Sequence, residues 1–254
     1  MTGPKTLFVS HGSPMIALEA SSASMFLADL GRSMPRPQAI VAVSAHWLAD
    51  GFAVGGASQP ETIHDFFGFP PALYAMTYPA PGDPALAARV AELTGAQLHP
   101  RRGLDHGVWS VASLLWPDAE VPVVPVSVSR RDNPAAHLDF GRRLRPLTAD
   151  GVLILATGAA THNLAAYTGL PRQSPALPWV TAFTDWLGQV IGTGRVADLV
   201  DYRAQAPHAI DNHPTDEHLL PLFVAAGAGE GAGTVLHRSV EHGVIAMDSY
   251  GWFG

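Results

Sequence analysis

Four largely apolar runs, rich in small and β-branched residues, constrain the fold of this chain more than any other feature. They span residues 6–10, 40–45, 121–128 and 151–157. A strand that is buried on both faces has a continuous apolar sequence, whereas a strand with one face in water alternates apolar and polar residues. The runs therefore predict the strands of a largely parallel sheet that is covered by helices on both sides.

Between these runs the apolar residues recur at helical spacing, so strands and helices alternate as in α/β proteins. We expect an α/β fold in a single domain over residues 1–254, with a central, mostly parallel or mixed β-sheet flanked by helices. Helices are predicted at 16–30, 84–93, 135–147, 177–192 and 196–204, and Asp83 is the predicted cap of the second. Residues 106–116 are predicted as a loop that enters a helix. A last helix is predicted to start at Pro214, with Thr215 or Asp216 as its cap. Shorter strands are predicted at 52–55, 235–237 and 244–248.

Residues 56–83 are rich in glycine, proline and aromatic side chains and have weak periodicity. A connection of this length inside a compact domain is usually either functional or disordered. The aromatic residues argue against disorder, because disordered segments are poor in them. We therefore expect an ordered loop that folds over another part of the molecule or its ligand.

Composition excludes several classes of protein. The net charge of −7 argues against a nucleic-acid-binding protein, which usually has a basic face, and the absence of cysteine excludes disulfides and thiolate ligands. No apolar run reaches the roughly 18–20 residues of a membrane helix, and no signal-peptide pattern precedes the first predicted strand. We expect a cytoplasmic protein that binds neither membranes nor nucleic acids.

Four histidines share one sequence context. His11, His46 and His162 each follow a predicted strand, and His218 lies at a predicted helix start. Ligands of open α/β sheets bind beyond the carboxyl ends of the strands, and histidine is the commonest metal-binding side chain. One such histidine alone is more often an ordinary loop or core residue. Several at one sheet edge, with a coordination position left open, predict a catalytic metal site.

Two acid–histidine pairs lie in predicted loops. His64-Asp65 and Asp105-His106 are either turn residues beside surface histidines or the lining of a pocket that binds a polar substrate. Four further histidines lack such a context and are predicted to be surface or structural residues: His208, His213, His237 and His242.

Several motifs together resemble the class III extradiol ring-cleavage dioxygenases (LigB-type), in their 4,5-DOPA dioxygenase-like branch. The resemblance covers nearly the whole chain and implies the LigB-like α/β fold. Each motif alone is common, and it is their combination in order that is specific. The motifs are HGSP at 11–14, SAHW at 44–47, TIHDF at 62–66, LDHGVW at 104–109, GAATHNL at 158–164 and DEHLLP at 216–221.

Carried over residue by residue, the resemblance implies that His11, His46 and His218 are metal ligands. Glu217 competes with His218, because protocatechuate-cleaving relatives have a glutamate as the third ligand. His162 corresponds to the catalytic acid–base histidine, and it either stands beside the metal or joins its coordination shell.

The resemblance also implies roles in substrate binding for three residues of the acid–histidine pairs. His106 corresponds to a catalytic residue that contacts the substrate or oxygen. His64 and Asp65 fall on a segment that faces the substrate.

The implied reaction opens the ring of a DOPA-like catechol with O2 and yields a muconic semialdehyde. Fe(II) is the cofactor expected for activity, while a site of three or four imidazoles also suits Zn(II), which is therefore expected in purified or crystallised protein. The partners are small molecules, and an oligomer is compatible with the sequence.

Two other functions fit the same histidines. A zinc-dependent hydrolase would act on an amide or ester through a metal-bound water. A non-catalytic binding protein would keep the pocket without the reaction. Retention of both His106 and His162 favours an enzyme over a binding protein.

Overall fold

A mixed β-sheet lies at the centre of the computed structural model, which describes residues 3–254. The strands of this part of the chain are β1 (Thr6–Ser10), β2 (Ala39–Ala49), β3 (Ala53–Gly55), β4 (Gln97–His99), β5 (Val123–Ser129), β6 (Val152–Gly158), β7 (Thr234–His237), β8 (Val240–Glu241), β9 (Ile245–Ala246) and β10 (Ser249–Trp252). Eight of them form one sheet in the order β4-β3-β5-β2-β6-β1-β10-β7, and β8 pairs with β9. The four central strands β5, β2, β6 and β1 are parallel, while β10, β7 and β3 join the sheet in antiparallel pairs. The expected mixed sheet is confirmed.

Helices cover both faces of this sheet. They are α1 (Ser22–Ser33), α2 (Pro71–Tyr74), α3 (Pro84–Thr94), α4 (His106–Leu115), α5 (Pro134–Leu144), α6 (Pro178–Gly192), α7 (Val196–Val200), α8 (Tyr202–Gln205), α9 (Ala209–Asn212) and α10 (Leu220–Ala228). Short 3-10 helices lie at Pro14–Ala17, Arg145–Asp150 and Leu164–Ala166.

The central strands divide the apolar core into two layers. Alternate side chains of a strand point to opposite faces, so Phe8 joins the core on one side while Leu7 and Val9 join the other. The first layer packs against α3, α5, α6 and α10, and the second against α1 and α4. Both faces of the strands are therefore buried, which explains their continuous apolar sequences.

Some predicted boundaries are confirmed and others are wrong. The helix predicted at 84–93 is Pro84–Thr94, and the Asp83 carboxylate accepts a hydrogen bond from the Leu86 amide as a cap does. The single helix predicted over 16–30 is instead a 3-10 turn followed by α1. A capping box between Ser21 and Ser24 starts α1 later than the apolar spacing suggests.

In the carboxyl-terminal part of the chain, more of the predicted helix and strand boundaries are wrong. The helix expected from Pro214 begins only at Leu220, because Asp216 does not cap it and instead pairs with Arg203 and Tyr202. The helix expected over 196–204 is broken into α7 and α8 at Asp201. The closing strand predicted at 244–248 is instead the two-residue strand β9, which β10 follows. The sequence analysis did not predict α2 or β4.

None of the helices found among residues 3–254 has the length and hydropathy that a bilayer-spanning segment requires.

His213 is a structural residue, as the sequence predicts. Its side chain is completely buried beside the rings of Phe183 and Tyr202. Its Nε2 lies 2.8 Å from the carbonyl oxygen of Ala160, which can only accept a hydrogen bond, so Nε2 carries the hydrogen. Its Nδ1 is buried and has no hydrogen-bond partner among residues 3–254, and burial lowers the pKa of the imidazole to about 3.

This buried histidine makes the stability of the fold sensitive to acid. The folded-state pKa of His213 lies below that of an unfolded histidine, so the unfolded chain binds the additional proton between about pH 6.5 and pH 3. We expect the free energy of unfolding to fall across this window as the pH falls. In the His213→Gln variant, the slope of that free energy against pH should decrease by up to about 1.4 kcal/mol per pH unit. This is the slope that the uptake of one proton on unfolding produces.

Urea unfolding at a series of pH values measures this slope. Phe183→Leu is the matched control, because it loosens the packing beside His213 without removing a titrating group. It should lower stability at every pH and leave the slope as in the wild type. An unchanged slope in His213→Gln would contradict the assignment.

Candidate active site

The histidines identified in the sequence meet at the carboxyl edge of the parallel strands. β1, β6 and β2 are neighbours in the sheet, and Ser10 pairs with Gly158 while Ser44 pairs with Thr157. His11 follows β1 directly. The loop after β6 carries His162 to the same edge of the sheet.

The sequence suggested that His46 follows its strand, and this is wrong. His46 lies inside β2. The pairing of β2 with β5 shifts register between Ser44 and Leu48, so His46 occupies an irregular segment of the strand. Irregularities of this kind bend a strand and redirect its side chains, and they are frequent beside active sites. The strand therefore continues beyond the predicted run at 40–45, as far as Ala49.

His218 reaches this edge through a close backbone contact. The Ala159 amide donates a hydrogen bond of 2.9 Å to the carbonyl oxygen of His218. A side chain at Gly158 would place its Cβ 2.1 Å from the same oxygen. Only glycine allows the chain before α10 to approach β6 so closely, and this contact brings His218 beside His46.

Three imidazole nitrogens converge at one point. The Nε2 of His46 lies 3.0 Å from the Nε2 of His11 and 3.3 Å from the Nε2 of His218. Nitrogens bound at about 2.0–2.1 Å to a tetrahedral metal ion lie about 3.3–3.4 Å apart. The separations therefore fit a single divalent ion held by three histidines.

The outer nitrogens of these rings all face acceptors. The Nδ1 of His11 lies 2.9 Å from the Thr157 hydroxyl, and the Nδ1 of His218 lies 3.0 Å from the Glu217 carboxylate. The Nδ1 of His46 lies 3.6 Å from the Asp65 carboxylate. Such partners hold a metal-binding histidine with its hydrogen on the outer nitrogen and its lone pair toward the ion.

Burial keeps the imidazoles of His11 and His46 neutral. Desolvation, followed by the neighbouring His46 and His218, holds the pKa of His11 well below its usual range. Desolvation, followed by His106 and His218, lowers the pKa of His46 to about 2. Neutral rings keep their lone pairs, so His11 and His46 need not lose a proton before they bind a metal at neutral pH.

Glu217 lies behind His218 and outside the converging nitrogens. It contacts the Nδ1 of His218, and this hydrogen bond is the main cause that lowers the pKa of Glu217 to about 2. Its carboxylate also lies 3.7 Å from the Nδ1 of His162. In this position Glu217 orients two histidines as an anion.

His162 stands beside His218 and faces the pocket. The two rings are stacked with their centroids 3.4 Å apart and an interplanar angle of 12°. The His162 amide donates to the Asn212 carbonyl oxygen, which fixes the backbone of this loop. Burial, followed by the neighbouring His218, lowers the pKa of His162 to about 4, so the ring is a neutral proton acceptor at pH 7.

The two acid–histidine pairs occupy different places. Asp65 accepts hydrogen bonds from the amide and the Nδ1 of His106, at 2.9 and 3.0 Å. The centroid of the His106 ring lies 3.9 Å from the centroid of the His46 ring. Burial by itself raises the pKa of Asp65, but the bonds from His106 lower it overall to about 2. Asp105 instead lies fully buried behind the site and binds Ser44 and Arg102.

His64 is turned toward its own loop. Its Nε2 lies 3.0 Å from the Met76 carbonyl oxygen, and its ring packs near Phe66 and Trp109. The substrate-binding roles of His64 and Asp65 stay predictions, and their observed contacts are with the protein itself.

The converging nitrogens form the floor of a cavity of about 300 Å³. The ordered loop predicted over 56–83 supplies Phe66 and Phe69 to its wall, and Leu164 and Ile245 add further apolar surface. The sequence singled out the aromatic loop but did not distinguish these two rings from Phe67, which is 92% exposed. Nothing in the sequence indicated that Glu217 and Asp65 orient the histidines. Nothing in it indicated Thr157 as a neighbour of these rings.

A polyhistidine centre at the carboxyl edge of a mixed α/β sheet defines a class of metal-dependent enzyme, and the comparisons with known proteins agree. Residues 5–251 match the family described as the catalytic LigB subunit of aromatic ring-opening dioxygenase, and the chain belongs to this family. The family resemblance drawn from the motifs is therefore confirmed.

Individual relatives match over almost their full length. A 4,5-DOPA dioxygenase extradiol of Escherichia coli (strain K12) is 40% identical, with 95% of this chain and 92% of that protein covered. Its counterpart from Beta vulgaris is 37% identical, with 97% and 95% covered. A crystal structure of an uncharacterized protein from Escherichia coli K12 superposes with a TM-score of 0.82 at 34% identity, covering 97% of this chain and 98% of that one.

The geometry predicts different consequences for changes at the two competing third ligands. We expect His218→Ala to lose stoichiometric Zn(II) binding, because it removes one of three converging nitrogens. Glu217→Gln should still bind one ion, with an affinity lower by about 10- to 100-fold, because it weakens only the orienting bond to His218.

Chelator competition for affinity and metal analysis for stoichiometry distinguish these outcomes. His208→Ala serves as the control, because His208 is exposed and pairs with Asp211 at the surface. The reverse pattern, with stoichiometry lost in Glu217→Gln and kept in His218→Ala, would make Glu217 the ligand.

Proposed function

We propose that the protein is a non-haem, metal-dependent extradiol dioxygenase that opens the ring of a DOPA-like catechol with O2 to a muconic semialdehyde. The observation that carries this proposal is the convergence of three imidazole nitrogens beneath an aromatic-walled cavity, with a neutral histidine beside them. Membership of the ring-opening dioxygenase family supports it, as do relatives named 4,5-DOPA dioxygenase extradiol at 33–40% identity.

The donor set of this centre suits both Fe(II) and Zn(II). We propose His11, His46 and His218 as the ligands, because their Nε2 atoms meet at one point and their Nδ1 atoms face acceptors. Fe(II), when bound, supplies the redox chemistry that activation of O2 requires, whereas Zn(II) has no redox chemistry. Fe(II) is therefore the proposed working ion, and Zn(II) is expected in protein purified without care for oxygen.

His162 is the proposed acid–base residue. It lines the cavity, it is neutral at pH 7, and it can therefore accept a proton from a catechol hydroxyl. Once protonated, its ring is stabilised by the Glu217 carboxylate 3.7 Å from Nδ1. The same residue can return the proton later in the reaction.

His106 and the apolar wall position the ring of the substrate. Asp65 holds His106 by its amide and its Nδ1, so the imidazole is fixed at the cavity wall next to His46. Phe66, Phe69 and Ile245 present apolar surface to an aromatic ring and limit the access of water. This lining fits a catechol whose hydroxyls face the histidines.

The proposal is tested by anaerobic reconstitution with Fe(II), followed by DOPA in air-saturated buffer. We expect a yellow ring-opened product and uptake of one O2 for each catechol consumed. His162→Ala should keep one iron per chain and lose about 10²- to 10⁴-fold in kcat, which is the usual contribution of a positioned acid–base group.

Two results would contradict this function. A fully iron-loaded protein that opens no catechol would exclude the dioxygenase. Oxygen-independent turnover of amides or esters with Zn(II) would favour the hydrolase that the same histidines could support. A cytoplasmic location and an oligomeric state stay predictions.

A further inference from the structure

Thr157 links two parts of the site that the sequence did not connect. It is the penultimate residue of β6, and its side chain is completely buried. Its Oγ1 lies 2.6 Å from the Gly107 carbonyl oxygen in the first turn of α4, and 2.9 Å from the Nδ1 of His11. One hydroxyl therefore contacts both a proposed ligand and the helix that carries His106.

The direction of these two hydrogen bonds follows from the chemistry of the groups. A carbonyl oxygen can only accept, so the single hydroxyl hydrogen of Thr157 points to Gly107. At His11 the Thr157 oxygen must then act as the acceptor, and the Nδ1 of His11 must carry the ring hydrogen. The Nε2 of His11 is left with its lone pair, and it is this atom that meets the Nε2 of His46.

The other tautomer of His11 would damage the site in two ways. A hydrogen on Nε2 would occupy the lone-pair direction that faces His46 and a bound ion. An unprotonated Nδ1 would face a Thr157 oxygen whose hydrogen is already committed to Gly107. The ring of His11 is 2% exposed, so water does not readily replace the missing partner.

We propose that Thr157 is a positioning residue that fixes the Nδ1–H tautomer and the ring orientation of His11, and thereby sets the metal affinity of the centre. The inference rests on the proposed metal centre and adds a residue to it. Thr157 differs from Glu217 and Asp65 because it does this work with a neutral hydroxyl. Its bond to Gly107 also ties His11 to the first turn of α4, where His106 begins the helix.

Three variants test the proposal. Thr157→Val keeps the shape and removes the hydroxyl, so the Zn(II) dissociation constant should rise by about 10- to 100-fold. Thr157→Ser restores the hydroxyl, so its dissociation constant should stay within about threefold of the wild type. Both are measured by chelator competition on the apo protein.

Thr6→Val is the matched control. Thr6 is also a completely buried strand threonine, and it lies at the end of β1 that is distant from the site. Its Oγ1 donates a hydrogen bond of 3.2 Å to the Ala225 carbonyl oxygen of α10. The control loses the same kind of threonine-to-helix bond as Thr157→Val, and both variants should lose thermal stability. Only Thr157→Val should lose metal affinity, and saturating Fe(II) should restore most of its kcat.

Long-range ¹⁵N–¹H NMR of the apo protein gives a readout that does not depend on metal or activity. His11 in the wild type and in Thr157→Ser should show the Nδ1–H tautomer, and Thr157→Val should show a mixture or the Nε2–H form. If Thr157→Val keeps both the wild-type tautomer and the wild-type affinity, the proposal is overturned. If the wild type itself binds no metal, the proposed centre fails first, whereas the tautomer measurement on His11 remains decisive for Thr157.

Discussion

The site depends on the parallel pairing of β1, β6 and β2, because this pairing brings residues distant in sequence to one edge of the sheet. Register fixes the result at the level of single residues, with Ser10 beside Gly158 and Ser44 beside Thr157. Glycine at 158 then lets the chain before α10 approach β6 and deliver His218. A change of one residue in this register would turn every side chain of the shifted strand to the opposite face of the sheet.

The sequence predicted the sheet and the histidines that meet at its edge, because both leave direct marks in it. A strand buried on both faces must be apolar throughout, and polar side chains that interrupt such a strand stand out. The irregular segment at His46 left no such mark, because it arises from how β2 pairs with β5. Two helix starts were placed too early for other reasons. Local capping at Ser21 overrides the apolar spacing at α1, and the pairing of Asp216 with Arg203 overrides it at α10.

Neighbours in sequence also proved poor guides to neighbours in space. His64 and Asp65 are adjacent, yet the first binds Met76 in its own loop while the second holds His106. Asp105 and His106 diverge in the same way, because one ends up behind the site and the other in its wall. Thr157 carried no signal at all, since a threonine at the end of a buried strand is ordinary until its partners are known.

The distribution of charge around the histidines gives a reason for the orienting groups to differ. A divalent ion that binds among these rings adds two positive charges in a place where solvent screens them weakly. The Asp65 and Glu217 carboxylates, both ionised because their pKa values are about 2, offset that charge from behind His46 and His218. A third carboxylate behind His11 would leave the loaded centre with a net negative charge and oppose a catecholate. A neutral threonine at that position orients the ring equally well and leaves the centre able to accept an anion.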